Sequence, residues 1–392
     1  MRRYNLSDVE ADNQYIDILI SNVNATQTPP VPVSFVETRS TPIIQNASHY
    51  QISIVRASID TQLLPTFIPL IQPNQGDPNL TVYSVSLTYT DRTGAPIDYT
   101  QQTFLEWVPQ DGSYPEPSPP SAQVNGYQVS SPYYYAYNFQ FLAFLVYKAL
   151  LQCFDDLKAQ VVSGALDAVE PPIFTWLPQP QLAEFLVDQQ YYQTFSSFNP
   201  LTVNPNAILI YMNNPLFALF SSFPFKFNGI DVPNGLNNLI ICNNFSGTNL
   251  VSVPNIGTPN YTALSVQQEY STVSNITPVS SIVFCSNAIP IVSTQITAPV
   301  LYYDNILIQT GSNSAFGIVL TDIETSDNGF KPSLLYQPST IRYISLTGNQ
   351  PVKTLDISVF WKNRKGELIP LYLVSNGSCS IKILLEKIDE AK

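Results

Sequence analysis

A mainly β fold is predicted: a jelly-roll-type β-sandwich formed by both chain ends, with a mixed α/β insertion in the middle. Three observations predict it. Short alternating or β-branched runs fill the first and last hundred residues. The helical patterning lies between them. Polarity comes from Asn, Gln, Ser, Thr and Tyr and little from charge, with 17 Lys and Arg and 29 Asp and Glu among 392 residues. The expected division is a sandwich of residues 1–108 and 280–392 and an insertion of residues 109–279, carrying helices and a Pro-rich loop.

The elements follow in order. Residues 15–20 and 51–59 run apolar or alternate, and Pro29-Pro30-Val31-Pro32 keeps an early connection extended. Residues 80–89 alternate cleanly, with Val82, Ser84, Ser86 and Thr88 on one face and Tyr83, Val85, Leu87 and Tyr89 on the other. The turn Thr90-Asp91-Arg92-Thr93-Gly94 returns the chain into residues 97–108, a hairpin. Residues 109–131 have no apolar period and many prolines, which predicts a surface loop, a kind of segment that is usually functional or disordered.

A helix is predicted over 137–158. Phe141, Leu142, Phe144, Leu145, Val146, Leu150, Leu151 and Phe154 cover most of its circumference, so it should lie buried or between layers. A second helix is expected over 181–192, gathering Leu182, Phe185, Leu186 and Tyr192. Residues 207–212 read as a buried strand leading into Asn213-Asn214-Pro215, a cap with proline at the first helical position, and a short helix through Phe220. Strands resume over 281–285, 289–292, 300–309 and 316–323. The chain closes on an expected three-strand meander over 354–362, 367–373 and 379–386, with Leu355, Ile357, Val359 and Trp361 sharing one face.

The net charge of −12 is unevenly spread: −3 over residues 1–92, −13 over 93–330 and +4 over 331–392. The middle of the chain should repel nucleic acid, and the basic end reads as a solvated strand surface, so direct nucleic-acid binding is not expected. Cys153, Cys242, Cys285 and Cys379 are spaced too widely for a zinc or redox motif and read as buried free thiols. The N-terminal residues lack the apolar core of a signal peptide. The apolar stretch 139–154 is interrupted by Gln140, Lys148 and Gln152 and falls short of the ~20 residues a membrane span needs. No membrane insertion is expected of a chain made in the cytoplasm.

Catalytic groups are scarce. His49 is the only histidine, no Gly-x-Ser-x-Gly elbow accompanies it, and it reads as structural or surface. Ligands for Zn²⁺ and phosphate-cradling glycine motifs are missing, so no metal and no cofactor is expected. Asp155-Asp156, Asp322 with Glu324, and Asp8-Glu10-Asp12 are the local carboxylate clusters. The first reads as a solvated helix end and Asp322 as a strand end; paired acids would still permit glycosidic chemistry. Tyrosines are the remaining candidates. Tyr114, Tyr127, Tyr133 and Tyr134, with Tyr135, surround the Pro-rich loop and suit surface recognition of glycan or protein, since a phenol ring stacks while its hydroxyl hydrogen-bonds. The competing reading packs them between insertion and sandwich.

Several segments carry a resemblance. They are Tyr50-Gln51-Ile52-Ser53-Ile54-Val55-Arg56 with Leu64-Pro65-Thr66-Phe67-Ile68-Pro69, Val283-Phe284 with Ile289-Pro290, Leu320-Thr321-Asp322, and Asp356-Ile357-Ser358-Val359-Phe360-Trp361 through Leu371. Together they resemble the penton (vertex) or minor capsid proteins of small eukaryotic double-stranded DNA viruses, the virophage and polinton-like group. The resemblance implies a jelly roll standing in an icosahedral shell with its insertion outside. It also implies contacts to other capsid proteins such as a major capsid protein, and a place in the virion. A one-chain sandwich has two exposed sheet edges, and with charge so sparse a neighbouring copy is expected to cover them, giving a closed homo-oligomer, a pentamer. It carries no catalytic motif. Arg2-Arg3 is too short a basic arm to neutralise a packaged genome, which argues against the single coat protein of a small RNA virus. The alternatives are a host-attachment or lectin-like protein using the loop at 109–131, and a glycoside-active enzyme.

Overall fold

The computed structural model describes residues 13–23, 32–73, 76–110, 131–192, 206–226, 235–241, 250–254, 260–291, 300–303, 306–309, 318–325 and 332–388. The chain divides into two compact units. Unit 1 comprises Met1–Thr66 and Pro278–Lys392, and unit 2 comprises Phe67–Thr277.

Unit 1 is built from two sheets. The first joins β1 (Asn13–Ser21), β3 (Tyr50–Asp60), β17 (Ser333–Tyr336), β18 (Ile344–Ser345) and β21 (Ser378–Lys387) in the order β1-β21-β3-β17, with β18 also on β3. The second joins β2 (Ser34–Thr38), β13 (Val279–Ser286), β14 (Val300–Tyr303), β15 (Ile306–Gln309), β16 (Ile318–Glu324), β19 (Thr354–Asn363) and β20 (Glu367–Pro370). N-terminal strands therefore pair with C-terminal ones: β1 and β3 flank β21, and β2 lies on β19. Alternation explains the core. Ile18, Ile381 and Ala57 line up across the first sheet on its buried face, as do Cys379, Ile59 and Leu334. In the second, Trp361 pairs with Ile282 and Val359 with Phe284, all buried. β19 is buried on its other face too, where Phe360 clusters with Val283, Cys285 and Leu368.

The expected closing meander is half right. β19 and β20 form a hairpin, but β21 crosses to the first sheet. The reason lies in the connection. Asn22, just past β1, donates through its backbone N to Gly377 O (3.0 Å) and through Nδ2 to Leu373 O (3.1 Å), and its own carbonyl accepts from Asn376 N (2.7 Å). These bonds hold the segment after β20 at the end of β1. Two further strand expectations change. Residues 300–309 are two antiparallel strands, β14 and β15, and 289–292 contributes only a bridge from Ile291 to Leu346.

Unit 2 carries β4 (Leu80–Asp91), β5 (Ile97–Glu106), β8 (Leu209–Asn213), β9 (Phe225–Lys226) and β10 (Leu236–Leu239) in the order β5-β4-β8-β10-β9. A second sheet joins β6 (Ile173–Leu177), β7 (Leu182–Val187), β11 (Leu250–Val253) and β12 (Tyr261–Gln267) in the order β11-β12-β7-β6. Its helices are α1 (Phe139–Gln160), α2 (Asn214–Leu219) and α3 (Val273–Ile276). Asn138 caps α1 by accepting from Phe141 N (2.8 Å), and the helix packs against β4 and β5 on one side and β6 on the other. That is the layered position its broad apolar surface requires, but one stripe of Gln140, Phe144, Lys148, Gln152 and Asp155 faces solvent, so the helix is not covered all round. Asn213 caps α2 with Pro215 in the first turn, and the same Oδ1 accepts from Ser84 N (3.1 Å).

Two expectations are corrected in this unit. The hairpin of β4 and β5, placed by sequence in the sandwich of the chain ends, belongs to unit 2. β4 is buried on both faces, including Ser84 and Ser86, and takes β8 as its second neighbour. Alternation reports which face is buried, not which strand lies alongside. The helix expected over 181–192 is β7 followed by a single 3-10 turn. Leu182, Phe185 and Leu186 fit helical spacing, but a six-residue apolar run fits either period, and pairing with β6 and β12 decides it.

Candidate functional site: an exposed sheet face

Of the tyrosines singled out from the sequence, those among the described residues pack inside the protein. Tyr133 and Tyr134 are buried. Tyr133 Oη donates to Asn79 Oδ1 (2.6 Å), Tyr134 Oη donates to Pro78 O (2.9 Å), and Trp107 Nε1 donates to Tyr133 O (2.9 Å). Their rings meet edge to face at 5.1 Å, and Trp107 adds Phe67 and Phe141 to the cluster. Burial pushes the Tyr134 phenol up to about 12. These are packing residues, since a buried phenol must hydrogen-bond within the protein. Tyr114 and Tyr127 lie outside the described residues, as does most of the Pro-rich loop.

The other candidates are solvated or structural. His49 is exposed beside Asn46 Nδ2 (3.3 Å). Asp155 and Asp156 are exposed, and Asp322 pairs with Arg342 at 3.1 Å on the surface; Asp8, Glu10 and Asp12 lie outside the described residues. Among the described residues no group of three His, Cys, Asp or Glu side chains could hold a metal, and no helix is long and apolar enough to cross a membrane. Cys153, Cys285 and Cys379 are free and buried, and burial pushes their thiols up to about 11, 12 and 12. Cys242 lies outside the described residues.

What stands out instead is the outer face of the first sheet of unit 1. The register sets Leu19, Ser380, Ser58 and Leu335 in one row from edge to edge. Leu19 is 69% exposed and Leu335 65%, with small serines between them. The next row holds Asp17, Lys382 and Arg56, with Asp17 at 3.2 Å from Lys382 Nζ and 3.8 Å from Arg56 Nη2. Lys382 also lies 5.9 Å from the centre of the Tyr15 ring, and Tyr15 is 61% exposed. The face thus carries exposed Leu19 and Leu335 at its two edges, the charged row of Asp17, Lys382 and Arg56, and beyond it Glu386, which accepts from Gln51 Nε2 (2.7 Å), a composition suited to contact with protein. One sequence signal was available. β1 reads Tyr15-Ile16-Asp17-Ile18-Leu19-Ile20, nearly apolar on both faces, as a strand covered on both sides would.

The sequence matches the Sputnik minor capsid protein V18/19 family over residues 14–387. It is 34% identical over 158 residues to Uncharacterized protein V18 of Sputnik virophage, spanning 40% of this chain and 90% of that protein. It is 29% identical over 164 residues to Structural protein V19 of the same virophage, spanning 41% of this chain and 72% of that protein. Among solved structures, a chain of the Sputnik virophage determined by cryo-EM corresponds with a TM-score of 0.73 and 26% identity, over 96% of this chain and 98% of that one. The mavirus penton protein corresponds in fold, with a TM-score of 0.58 and 16% identity, over 96% of this chain and 100% of that one. The fold class read from the sequence, a jelly-roll-type sandwich of both chain ends, agrees with these likenesses. The chain belongs to the Sputnik minor capsid protein V18/19 family: it is a structural protein of the virion and not an enzyme.

Proposed function

We propose that the chain is a vertex-type (penton) subunit, assembling head to tail into a closed homo-oligomer, a pentamer, that contacts other capsid proteins such as a major capsid protein. The observation that carries this is the end-to-end fold correspondence with the mavirus penton protein, over 96% of this chain and the whole of that one. The surface supports it: exposed Leu19, Leu335 and Tyr15 beside the paired charges of Asp17, Lys382 and Arg56 suit protein contact in a closed ring. Sedimentation of the purified protein tests it. Five copies of the 43.6 kDa chain give about 220 kDa, and raised salt should barely loosen contacts that are mostly apolar and neutral. A strict monomer at micromolar concentration, or dissociation by salt alone, would overturn the ring and favour the attachment-protein alternative.

A further inference from the structure

Among the described strands, β1 is the longest sheet edge that pairs without a register break. Free edges are normally protected by bulges, prolines, charges or shortness, because unpaired N–H and C=O groups recruit another strand. β5 carries Asp98 and Glu106, the latter paired with Lys148 at 3.1 Å, and its register to β4 breaks between Leu80 and Ser84. β16 carries Asp322 and Glu324 opposite a register shift. β6 is five residues between Pro172 and Pro178, β2 is five residues with Glu37, and β9, β11, β15, β17 and β18 run to four or fewer. β1 pairs nine residues with β21 without a break. Its one charge, Asp17, is engaged on the sheet face by Lys382 and Arg56.

We infer that the free edge of β1 takes β17 of a second copy, so that the outer sheet of unit 1 runs from one subunit into the next. This rests on the ring reading above and names the strands that would close it. Three observations select β17. The first is polarity: β1 and β17 sit at opposite edges of one sheet and run antiparallel to each other, because both β1 and β3 are antiparallel to β21 and β17 is antiparallel to β3. Copies in the same orientation therefore meet as an antiparallel pair, as head-to-tail contact demands.

The second is the row of Leu19, Ser380, Ser58 and Leu335. Joining the edges sets Leu335 of one copy beside Leu19 of the next and removes two of the most exposed leucines from water. The third is charge. Asp17 stands at the β1 edge and Arg56 lies next to the opposite edge, so head-to-tail joining points Asp17 of one copy toward Arg56 of its neighbour. Two β1 edges paired in full antiparallel register would instead oppose Asp17 to its own copy at the middle of the strand.

The test is a disulfide between copies. Directly opposed residues in an antiparallel pair have Cα atoms about 4.5–5.5 Å apart, within the ~4.4–6.8 Å a disulfide spans. The full chain carrying Leu19→Cys and Leu335→Cys should give, after mild oxidation, a ladder of covalent multimers on a denaturing gel. The parent and each single variant should not. Covalent dimers from Asp17→Cys alone, the position that faces its own copy in full β1-to-β1 register, would establish that pairing and overturn the inference. So would a double variant that sediments as an assembly without forming the ladder. If the double variant does not assemble, a charge pair decides. Leu19→Lys and Leu335→Glu should each weaken assembly about tenfold or more, and together restore it; no restoration overturns the inference. A parent protein that sediments as a monomer would instead be a failure of the ring reading itself.

Discussion

The two units bury their sheets in different ways. Unit 2 lays α1 between β4 and β5 on one side and β6 on the other, so most of the helix's apolar surface is covered from within, while Ile97, Phe144, Val162 and Tyr270 of the unit stay exposed. All three α-helices among the described residues belong to it. Unit 1 sets sheet against sheet and leaves Tyr15, Leu19 and Leu335 to solvent on the outer face of one of them. Charge divides the same way. Unit 2 spans 4 basic and 14 acidic residues, a net −10, against 13 and 15 in unit 1, a net −2. Self-repelling charge keeps a surface solvated and away from polyanions, whereas a nearly neutral one with apolar rims can meet another protein at little desolvation cost. One chain thus joins a strongly acidic, helix-bearing unit to a nearly neutral unit of sheet on sheet.

The largest expected effects test whether the units are separate. Trp107 in unit 2 is 1% exposed and Trp361 in unit 1 is 2% exposed, each at the centre of its own core. Each Trp→Ala truncation should cost about 3–5 kcal/mol. In calorimetry Trp107→Ala should lower one transition and Trp361→Ala the other. If both lower a single shared transition, the units melt as one and the comparison breaks.

Next is Asp356, which holds the end of β13 in unit 1. It is buried on β19, and its carboxylate accepts from Ser286 Oγ, Asn287 N (2.8 Å) and Ala288 N (2.9 Å), while Ser286 Oγ accepts in turn from Ile289 N (3.1 Å). Asp356→Ala leaves these donors without their acceptor and should cost about 2–3 kcal/mol. Denaturant unfolding measures it. A change below about 0.5 kcal/mol would mean that water replaces the carboxylate freely.

The same residue shows where sequence reading stopped. Alternation along 354–362 marked Leu355, Ile357, Val359 and Trp361 as one face, and they are buried. Alternation puts Asp356 on the opposite face and cannot show that this face is buried too, because the strand is central and covered on both sides. Tyr133 and Tyr134 admit both a surface and a packing reading for a related reason: the partners that bury them, Pro78 and Asn79, lie more than fifty residues away in sequence. Helices α1 and α2 were legible because caps and apolar circumference are local. Partner strands were not, since β4 must find β8 across more than a hundred residues. The outer face of the first sheet was least legible of all, for exposure of Leu19 and Leu335 is a property of the assembled sheet.

The buried thiols sharpen the comparison through pH. Burial raises Cys285 and Cys379 of unit 1 to about 12 and Cys153 of unit 2 to about 11, from an ordinary value of 9.0. A raised thiol favours the folded state fully below the unfolded value, and the contribution is lost as pH climbs from there through the folded value. Stability should therefore be level from pH 7 to 8 and fall between about 9 and 11, by on the order of 1 kcal/mol per thiol per pH unit. In a Cys242→Ser background the unit 1 transition should fall more steeply than that of unit 2 from pH 9 to about 10, before the raised phenols of unit 2, Tyr134 and Tyr261 among them, add their own loss above the ordinary tyrosine value of 10.0. Equal slopes would show that the second thiol of unit 1 makes no difference.

The smallest expected effect concerns the ion pair of Lys148 on α1 with Glu106 on β5, at 3.1 Å with both side chains about half exposed. Solvent screens such a pair, and holding two long side chains together costs entropy, so Lys148→Ala should change stability by less than about 1 kcal/mol. Helix α1 does not depend on it. Leu142, Leu145, Val146, Leu150, Phe154 and Leu157 are all buried against the flanking sheets, and any one of them cut to alanine should cost several times more. A loss of 2 kcal/mol or more from Lys148→Ala would mean that charge, and not apolar burial, seats the helix. Unit 2 would then lose its claim to be held together from within, and its excess of acid would count against its stability as well as against its partners.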